Sequence, residues 1–281
     1  MKHKIKELYG PPSTRAATLI LLRYTLLLVV TLSMVAWFSN WVLTIALAFF
    51  VAVYFKGFNN IVHECSHNSF SNSRTYNMRV GHTLCAVLFM DFVSYKVEHT
   101  SHHRHLGNYE NDIDFKERRR LGHDRAFTAR RVFKHIVSLT FMRLYWPAVD
   151  LSVHTHRVSL ALYAVLFSGL YLAHAYSVIT ALLIAHLIFL PLTRYLTDII
   201  DHGGLYREDV GEIYKSRNFI IQNPVLRGIF FPRNDCYHLI HHLYPYLPVH
   251  NFDLAHIQLM SDPTYSILTH HGSLSVLSMR R

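Results

Sequence analysis

Four long apolar runs limit the folds that are open to this chain. They extend from Ala17 to Phe38, from Trp41 to Phe58, from Val158 to His174 and from Val178 to Leu196. Each approaches the roughly 20 residues that an α-helix needs to cross the hydrocarbon core of a bilayer. Only a short turn separates the two members of each pair. The pattern therefore predicts an all-α integral membrane protein with four transmembrane helices in two tight hairpins.

Basic residues indicate the orientation of these helices. The two turns, at Ser39 with Asn40 and at Ala173 to Tyr176, contain no Lys or Arg, whereas the segment from Asn59 to Arg157 contains 14. Because Lys and Arg are enriched in cytoplasmic loops, both termini and the long middle region are predicted to be cytoplasmic. A net charge of +10 in a chain that is 51% hydrophobic suits a membrane protein facing an anionic leaflet. No nucleic-acid partner is expected.

The domain organisation is expected to be simple. The chain has neither an internal repeat nor a low-complexity tract, so residues 1–281 are predicted to form a single domain. The basic start runs into the first apolar segment without a clear cleavage site, and we expect the first helix to be retained. His3, His270 and His271 are expected in mobile ends of the chain.

Histidines form three clusters at helical spacing. They are His63 with His67, His99 with His102 and His103, and His238 with His241 and His242. Residues three or four apart on a helix share a face, with Cβ atoms roughly 5–6 Å apart, so HxxHH presents three imidazoles from nearly one stripe. Such a stripe could serve one ion or an adjacent pair. Imidazole nitrogens suit iron, zinc, copper or nickel better than magnesium or calcium.

The predicted helices bring the clusters to one side of the bilayer. The first cluster lies on a cytoplasmic extension of the second span, from Ile61 to Ser69. Val80 to Tyr95 is apolar but short and is broken by Asp91, so it is predicted to be an interfacial or partly dipping helix that leads to the second cluster. After the fourth span, Gly203 and Gly204 predict that the helix ends just beyond His202.

Two other classes of protein share parts of this pattern. His63, Glu64 and His67 spell HExxH, the zinc metalloprotease signature in which the glutamate is the general base. A catalytic zinc site uses three protein ligands, however, and eight clustered histidines with His202 suit two ions better. A metal transporter would place ionisable residues along its spans, which are nearly uncharged apart from His186, Arg23 and Arg194.

The ordered clusters resemble the three histidine boxes of the membrane fatty acid desaturase superfamily. The matching segments read HECSH, HTSHH and HLIHH, and with the hairpin layout they cover about Trp41 to Pro248. The resemblance implies four transmembrane helices under a cytoplasmic helical cap that holds two non-haem irons. It also implies dioxygen-dependent desaturation of a fatty acyl or other lipid-like chain. The implied metal ligands are His63, His67, His99, His102, His103, His202, His238, His241 and His242.

Hydroxylases of lipids or alkanes and carotenoid ketolases carry similar boxes and remain alternatives. The HxxHH form of the second box is usual in desaturases, whereas many alkane hydroxylases carry HxxxHH, which favours desaturation. Near His202, relatives often have asparagine or glutamate where this chain has Asp198 and Asp201. The roles of these two aspartates are therefore open.

Three further expectations concern the surroundings of the site. Carboxylates often orient metal-bound imidazoles by accepting their other N–H, and the candidates are Glu64, Glu98, Asp112, Asp114, Asp201 and Asp235. An apolar tunnel is expected to exclude water and position the substrate chain. Because the chain has no dinucleotide-binding GxGxxG and no haem module, electrons are expected from an external ferredoxin or small cytochrome.

Overall fold

The computed structural model describes residues 2–38, 40–120, 122, 125, 128–145, 153–206, 210–268 and 270. Secondary structure in these ranges is almost entirely helical, which confirms the all-α prediction. The α-helices are α1 (Thr14–Phe38), α2 (Trp41–Ser66), α3 (Arg74–Val87), α4 (Phe92–His105), α5 (Ile113–Arg120), α6 (Ala129–Val137), α7 (Thr140–Tyr145), α8 (Val153–Leu172), α9 (Tyr176–Ile184), α10 (Leu190–His202), α11 (Pro224–Phe230), α12 (His238–Leu243), α13 (Phe252–Leu259) and α14 (Pro263–Ser266).

Three helical segments in the described ranges are long and apolar enough to cross a membrane. They are α1, α2 and the segment Tyr176–His202, in which a π-helical turn (Ala185–Phe189) joins α9 to α10. The helices α3 and α4 pass the same test only as a pair bent by 105°. The apolar part of α8, His156–Leu172, is shorter. Three predicted spans are thus helices of membrane length, while the two-hairpin arrangement stays a prediction.

The helix α2 is central and packs against α1, α3, α9 and α10. It begins after Asn40, whose side chain accepts the N–H of Leu43 at 3.0 Å and so caps the helix. Close packing against α1 depends on Gly57, because a Cβ atom there would lie 2.2 Å from the Tyr24 ring. The buried residues of α2 include Val51 and Ala52 in the main apolar core. The sequence that follows this core carries the first two histidines.

The sharp bend between α3 and α4 explains the interruption at Asp91. The Asp91 carboxylate accepts the N–H of Ser94 at 2.7 Å and caps α4, so the charge starts a new helix instead of interrupting one. At the bend, Phe89 adopts a left-handed φ of 52°. The chain reverses there and brings α4 to the C-terminal end of α2. The single helix predicted over Val80 to Tyr95 is therefore two helices, and its position relative to the membrane stays a prediction.

Both turns lie at one end of the bundle, and the histidines lie at the other. The Ser177 hydroxyl, at the start of α9, donates to the carbonyl of Val35 near the end of α1, at 3.3 Å. From these turns, α2 and the α9–α10 segment run side by side to His63 and His202. As predicted, α10 ends at a glycine: a Cβ atom on Gly203 would lie 2.5 Å from the carbonyl oxygen of Ile199.

The segments that follow α10 form a second core with the start of the chain. Ile5 is fully buried in it, and Asn251 donates to the carbonyl of Leu8 at 2.7 Å. His270 is also buried, and its Nε2 donates to the carbonyl of Tyr265 at 2.8 Å. The expectation of a mobile end was therefore wrong for His270. His271 and the His3 side chain lie outside the described part of the chain.

Candidate metal centre

The nine histidines singled out in the sequence gather into two groups. Within each group, one ring nitrogen from every residue lies within 4.8 Å of the others. The first group contains His63, His67, His99, His103 and His241, and the second contains His102, His202, His238 and His242. The groups adjoin, since the ring centroids of His103 and His242 are 4.5 Å apart. The structure therefore offers room for a pair of neighbouring metal ions.

Each HxxHH sequence divides between the two groups. On α4, His99 and His103 are one turn apart and belong to the first group, whereas His102 belongs to the second. On α12 the division is reversed, with His241 in the first group and His238 and His242 in the second. Each HxxHH sequence therefore contributes rings to both groups.

The contacts between imidazoles fit a bound cation. Neighbouring Nε2 atoms lie 2.7–3.3 Å apart, and His241 Nε2 lies close to two others, those of His63 and His103. Nitrogen ligands about 2.1 Å from one ion and at right angles to each other would be about 3 Å apart. A neutral imidazole has one N–H and one lone pair, so converging lone pairs would repel each other unless a cation lay between them. The donor sets fit transition metals such as iron or zinc.

Hydrogen bonds at Nδ1 show which nitrogen of a ring carries the lone pair. His202 Nδ1 lies 2.9 Å from the carbonyl oxygen of Lys215, which can only accept, so Nδ1 carries the proton and Nε2 carries the lone pair. His102 Nδ1 lies 3.0 Å from Asp112 Oδ2, and His238 Nδ1 lies 3.4 Å from Asp201 Oδ2. His102 and His202, two of the four rings of the second group, are thereby oriented to bind metal through Nε2, while Asp201 faces the His238 ring without a hydrogen bond to it.

Two of the six candidate carboxylates thus face ligand rings, and Asp112 is held most firmly. This fully buried carboxylate also accepts the backbone N–H groups of Gly107 and Phe115, each at 3.0 Å. Burial raises its pKa, but the hydrogen bonds from His102 and from these backbone N–H groups outweigh burial and lower the pKa overall. Asp112 is therefore an ionised acceptor for His102.

The rings on α12 stay neutral because they are buried. Desolvation moves the pKa values of His238, His241 and His242 well below the ordinary value for histidine, and neighbouring imidazoles add to the effect. Neutral rings keep their lone pairs available near pH 7. This is the protonation state that metal binding requires.

The contacts of Glu64, the acidic residue of HExxH, do not support a catalytic role. Its buried carboxylate accepts two hydrogen bonds from Arg233, at 2.8 Å from Nε and 2.6 Å from an Nη nitrogen. A general base needs a free carboxylate near metal-bound water, and His63 and His67 share their group with three further imidazoles. The geometry gives no support to the zinc protease alternative.

Two further acidic residues, Asp235 and Asp198, pair with nearby cations. Asp235 lies 2.7 Å from Lys56, and Asp198 lies 2.9 Å from Arg118. Asp198 and Asp201 thus have separate roles, the first pairing with an arginine and the second facing His238. No sequence signal links Arg233 to Glu64, because 169 positions separate them and Arg233 adopts a left-handed φ of 65°.

A cavity of about 300 Å³ lies beside both histidine groups. His63 and His99 of the first group and His102, His202 and His238 of the second reach its wall. The rest of the wall is mainly polar or charged, with Met90 and Ile113 among its few apolar side chains. The expected apolar tunnel does not describe this cavity.

Comparison with known proteins places the chain in a family. The family model described as fatty acid desaturase matches residues 36–272, which is most of the sequence. The chain belongs to the fatty acid desaturase family. This confirms the resemblance carried by the three histidine boxes. All nine clustered histidines lie within the matched residues.

Individual relatives match over shorter stretches. The chloroplastic omega-3 fatty acid desaturase of Sesamum indicum is 34% identical over 77 residues, which cover 27% of this chain and 17% of the relative. The temperature-sensitive sn-2 acyl-lipid omega-3 desaturase (ferredoxin) of Arabidopsis thaliana is 32% identical over 77 residues, 27% of this chain and 18% of that one. The dihydrorhizobitoxine desaturase of Bradyrhizobium elkanii is 25% identical over 239 residues, 77% of this chain and 67% of that one.

Proposed function

We propose that this protein is a membrane-bound, oxygen-dependent di-iron desaturase that introduces a double bond into a fatty acyl or other lipid-like chain. The observation that carries the proposal is the pair of adjoining imidazole groups, five rings beside four, next to a cavity. The nine histidines would hold the two irons. Desaturation, rather than hydroxylation or ketolation, is supported by the names of the relatives, each of which is a desaturase.

The bound metal pair would supply oxidising power, with dioxygen taking up two hydrogens from adjacent carbons, two external electrons and two protons to give two waters. The protein holds the ligand rings in place around that chemistry. Asp112 and the carbonyl of Lys215 fix the Nδ1–H groups of His102 and His202. The same contacts keep each Nε2 lone pair directed inward.

In this proposal residues 1–281 form one domain that crosses the membrane four times, with the active site and both termini in the cytoplasm. The shared end of the bundle that carries all nine histidines supports this topology. An external ferredoxin or small cytochrome would supply the electrons, and the name of the Arabidopsis relative supports a ferredoxin. The basic middle region would attract such a carrier if it is acidic.

Metal analysis and product analysis together test the proposal. The protein, purified after expression in iron-replete cells, should contain two irons per chain by elemental analysis. In a host of known lipid composition, mass spectrometry should find new species that are two hydrogens lighter than their precursors. One zinc per chain, or products that gain oxygen without a double bond, would contradict the proposal.

Two variants sharpen the test. His241→Ala removes a ring that approaches two others, whereas His82→Ala removes an exposed imidazole of α3 that belongs to neither group. We expect His241→Ala to lose iron and product formation, and His82→Ala to keep both. Equal iron content in the two variants would exclude His241 as a ligand.

A further inference from the structure

The wall of the cavity holds an arginine without an acidic partner. An Nη nitrogen of Arg194 donates to the side-chain oxygen of Asn59 at 2.7 Å and lies 3.0 Å from the Met90 sulfur. Its Nε atom is buried and has no hydrogen-bond partner. Among the described residues, Arg194 therefore meets only neutral groups.

The other cations of this wall are neutralised. Lys56 pairs with Asp235 at 2.7 Å, and Arg118 pairs with Asp114 at 3.2 Å and with Asp198 at 2.9 Å. Burying a charge is costly unless it is paired, and an unsatisfied buried N–H adds to that cost. Arg194 also lies within a helical segment of membrane length, where an ionisable residue usually has a functional role. Its position in the cavity indicates that an anion belonging to a ligand completes the site.

The contact with Asn59 places Arg194 near the first histidine group. Asn59 precedes His63 by four residues on α2, so both side chains lie on one face of the helix, about 6 Å apart along its axis. Both residues line the cavity. An anion held by Arg194 would therefore lie only a few bonds from a carbon that reaches the histidines.

We propose that Arg194 binds an anionic group, a carboxylate or a phosphate, that the substrate carries close to the carbon that reacts. This inference rests on the proposed function, because it narrows the substrate class of the same site. A guanidinium presents parallel N–H groups that match such oxyanions. A cavity of about 300 Å³ has room for the anionic group and a short part of the chain that carries it.

Binding measurements on the full chain in detergent test the inference without requiring turnover. By isothermal titration calorimetry, hexanoate or hexyl phosphate should bind at least about tenfold more tightly than the neutral, similarly shaped hexanamide. Whichever anion binds more tightly identifies the group. Equal binding of all three compounds would overturn the inference, and this comparison needs no variant.

Variants then assign the site. Arg194→Gln should weaken binding of the preferred anion at least about tenfold, and Arg194→Lys, which keeps the charge, should recover part of the loss. Arg23→Gln is the matched control, because Arg23 is an exposed arginine on α1 outside the cavity. Unchanged anion binding in a folded Arg194→Gln protein would assign the anion elsewhere and overturn the inference.

The inference and the proposed function can fail separately. If the anion binds through Arg194 but the purified chain holds no iron, the anion site stands and the di-iron function falls. If the iron-loaded chain desaturates a neutral substrate and Arg194→Gln does so equally well, the function stands and the anion site falls.

Discussion

Replacement of Glu64 by glutamine should destabilise the fold. The Glu64 and Arg233 side chains are only 2% and 11% exposed, and two hydrogen bonds join them. Glutamine keeps the shape but removes the negative charge and turns an NH₂ group toward one guanidinium nitrogen. Breaking one partner of a buried ion pair costs roughly 3–5 kcal/mol. Because glutamine is a mild substitution, we expect a loss of about 3 kcal/mol, at the lower end of this range. Each kcal/mol lowers the Tm of a large domain by roughly 2–4 °C, so the Tm should fall by about 6–12 °C.

Thermal unfolding in detergent, followed by tryptophan fluorescence, measures this loss. Glu110→Gln is the control, because Glu110 is exposed and its substitution should change stability by no more than about 0.5 kcal/mol. The double variant Glu64→Gln with Arg233→Met should lose less stability than the two single variants added together, since it leaves no unpaired buried charge. A Glu64→Gln protein with unchanged Tm and abolished turnover would refute the structural role and restore a catalytic one.

Further predictions concern the ligands, their orientation and pH. His102→Ala should bind less iron and lose turnover, yet still insert into membranes, as cell fractionation and elemental analysis would show. Asp112→Asn, which weakens the acceptor of the His102 Nδ1–H, should lower metal affinity by about 10–100-fold in chelator competition, and unchanged affinity would contradict that role. Burial and the neighbouring His270 lower the pKa of His256 to about 4. In the unfolded chain His256 binds a proton below about pH 6.5, whereas in the folded chain it does so only below about pH 4. The free energy of unfolding should therefore decrease as the pH is lowered from 6.5 to 4. A His256→Gln variant should have a flatter profile of Tm against pH, and an identical profile would exclude the effect.

Helical spacing predicted the three histidine clusters, whereas His202 joined the predicted ligands only through the family resemblance. The i, i+3 and i, i+4 pattern gives each HxxHH one face, and the packing of the helices brings the clusters to one end of the bundle. The division of each sequence between two groups depends on how α4, α10 and α12 cross. That crossing is a tertiary property with no local periodicity, so the sequence left one ion or two open.

The partners of the site were harder to predict than its ligands. Six carboxylates were candidates to support the rings, but only Asp112 and Asp201 face ligand nitrogens. Glu64 is part of a familiar motif, yet its partner comes from a left-handed turn far along the chain. The apolar tunnel was expected from the need to exclude water and hold a lipid chain, and sequence alone did not show that Arg194 lies in the wall of this cavity.

Because α4 and α12 each supply ligands to both imidazole groups, neither iron could be lost from the proposed centre without affecting the other. The first ion to bind would fix α4 and α12 relative to each other. The second ion would then bind with a smaller loss of conformational entropy, and therefore more tightly. Loading should therefore be cooperative, and titration of the apoprotein should pass from empty to fully loaded chains with few singly occupied ones.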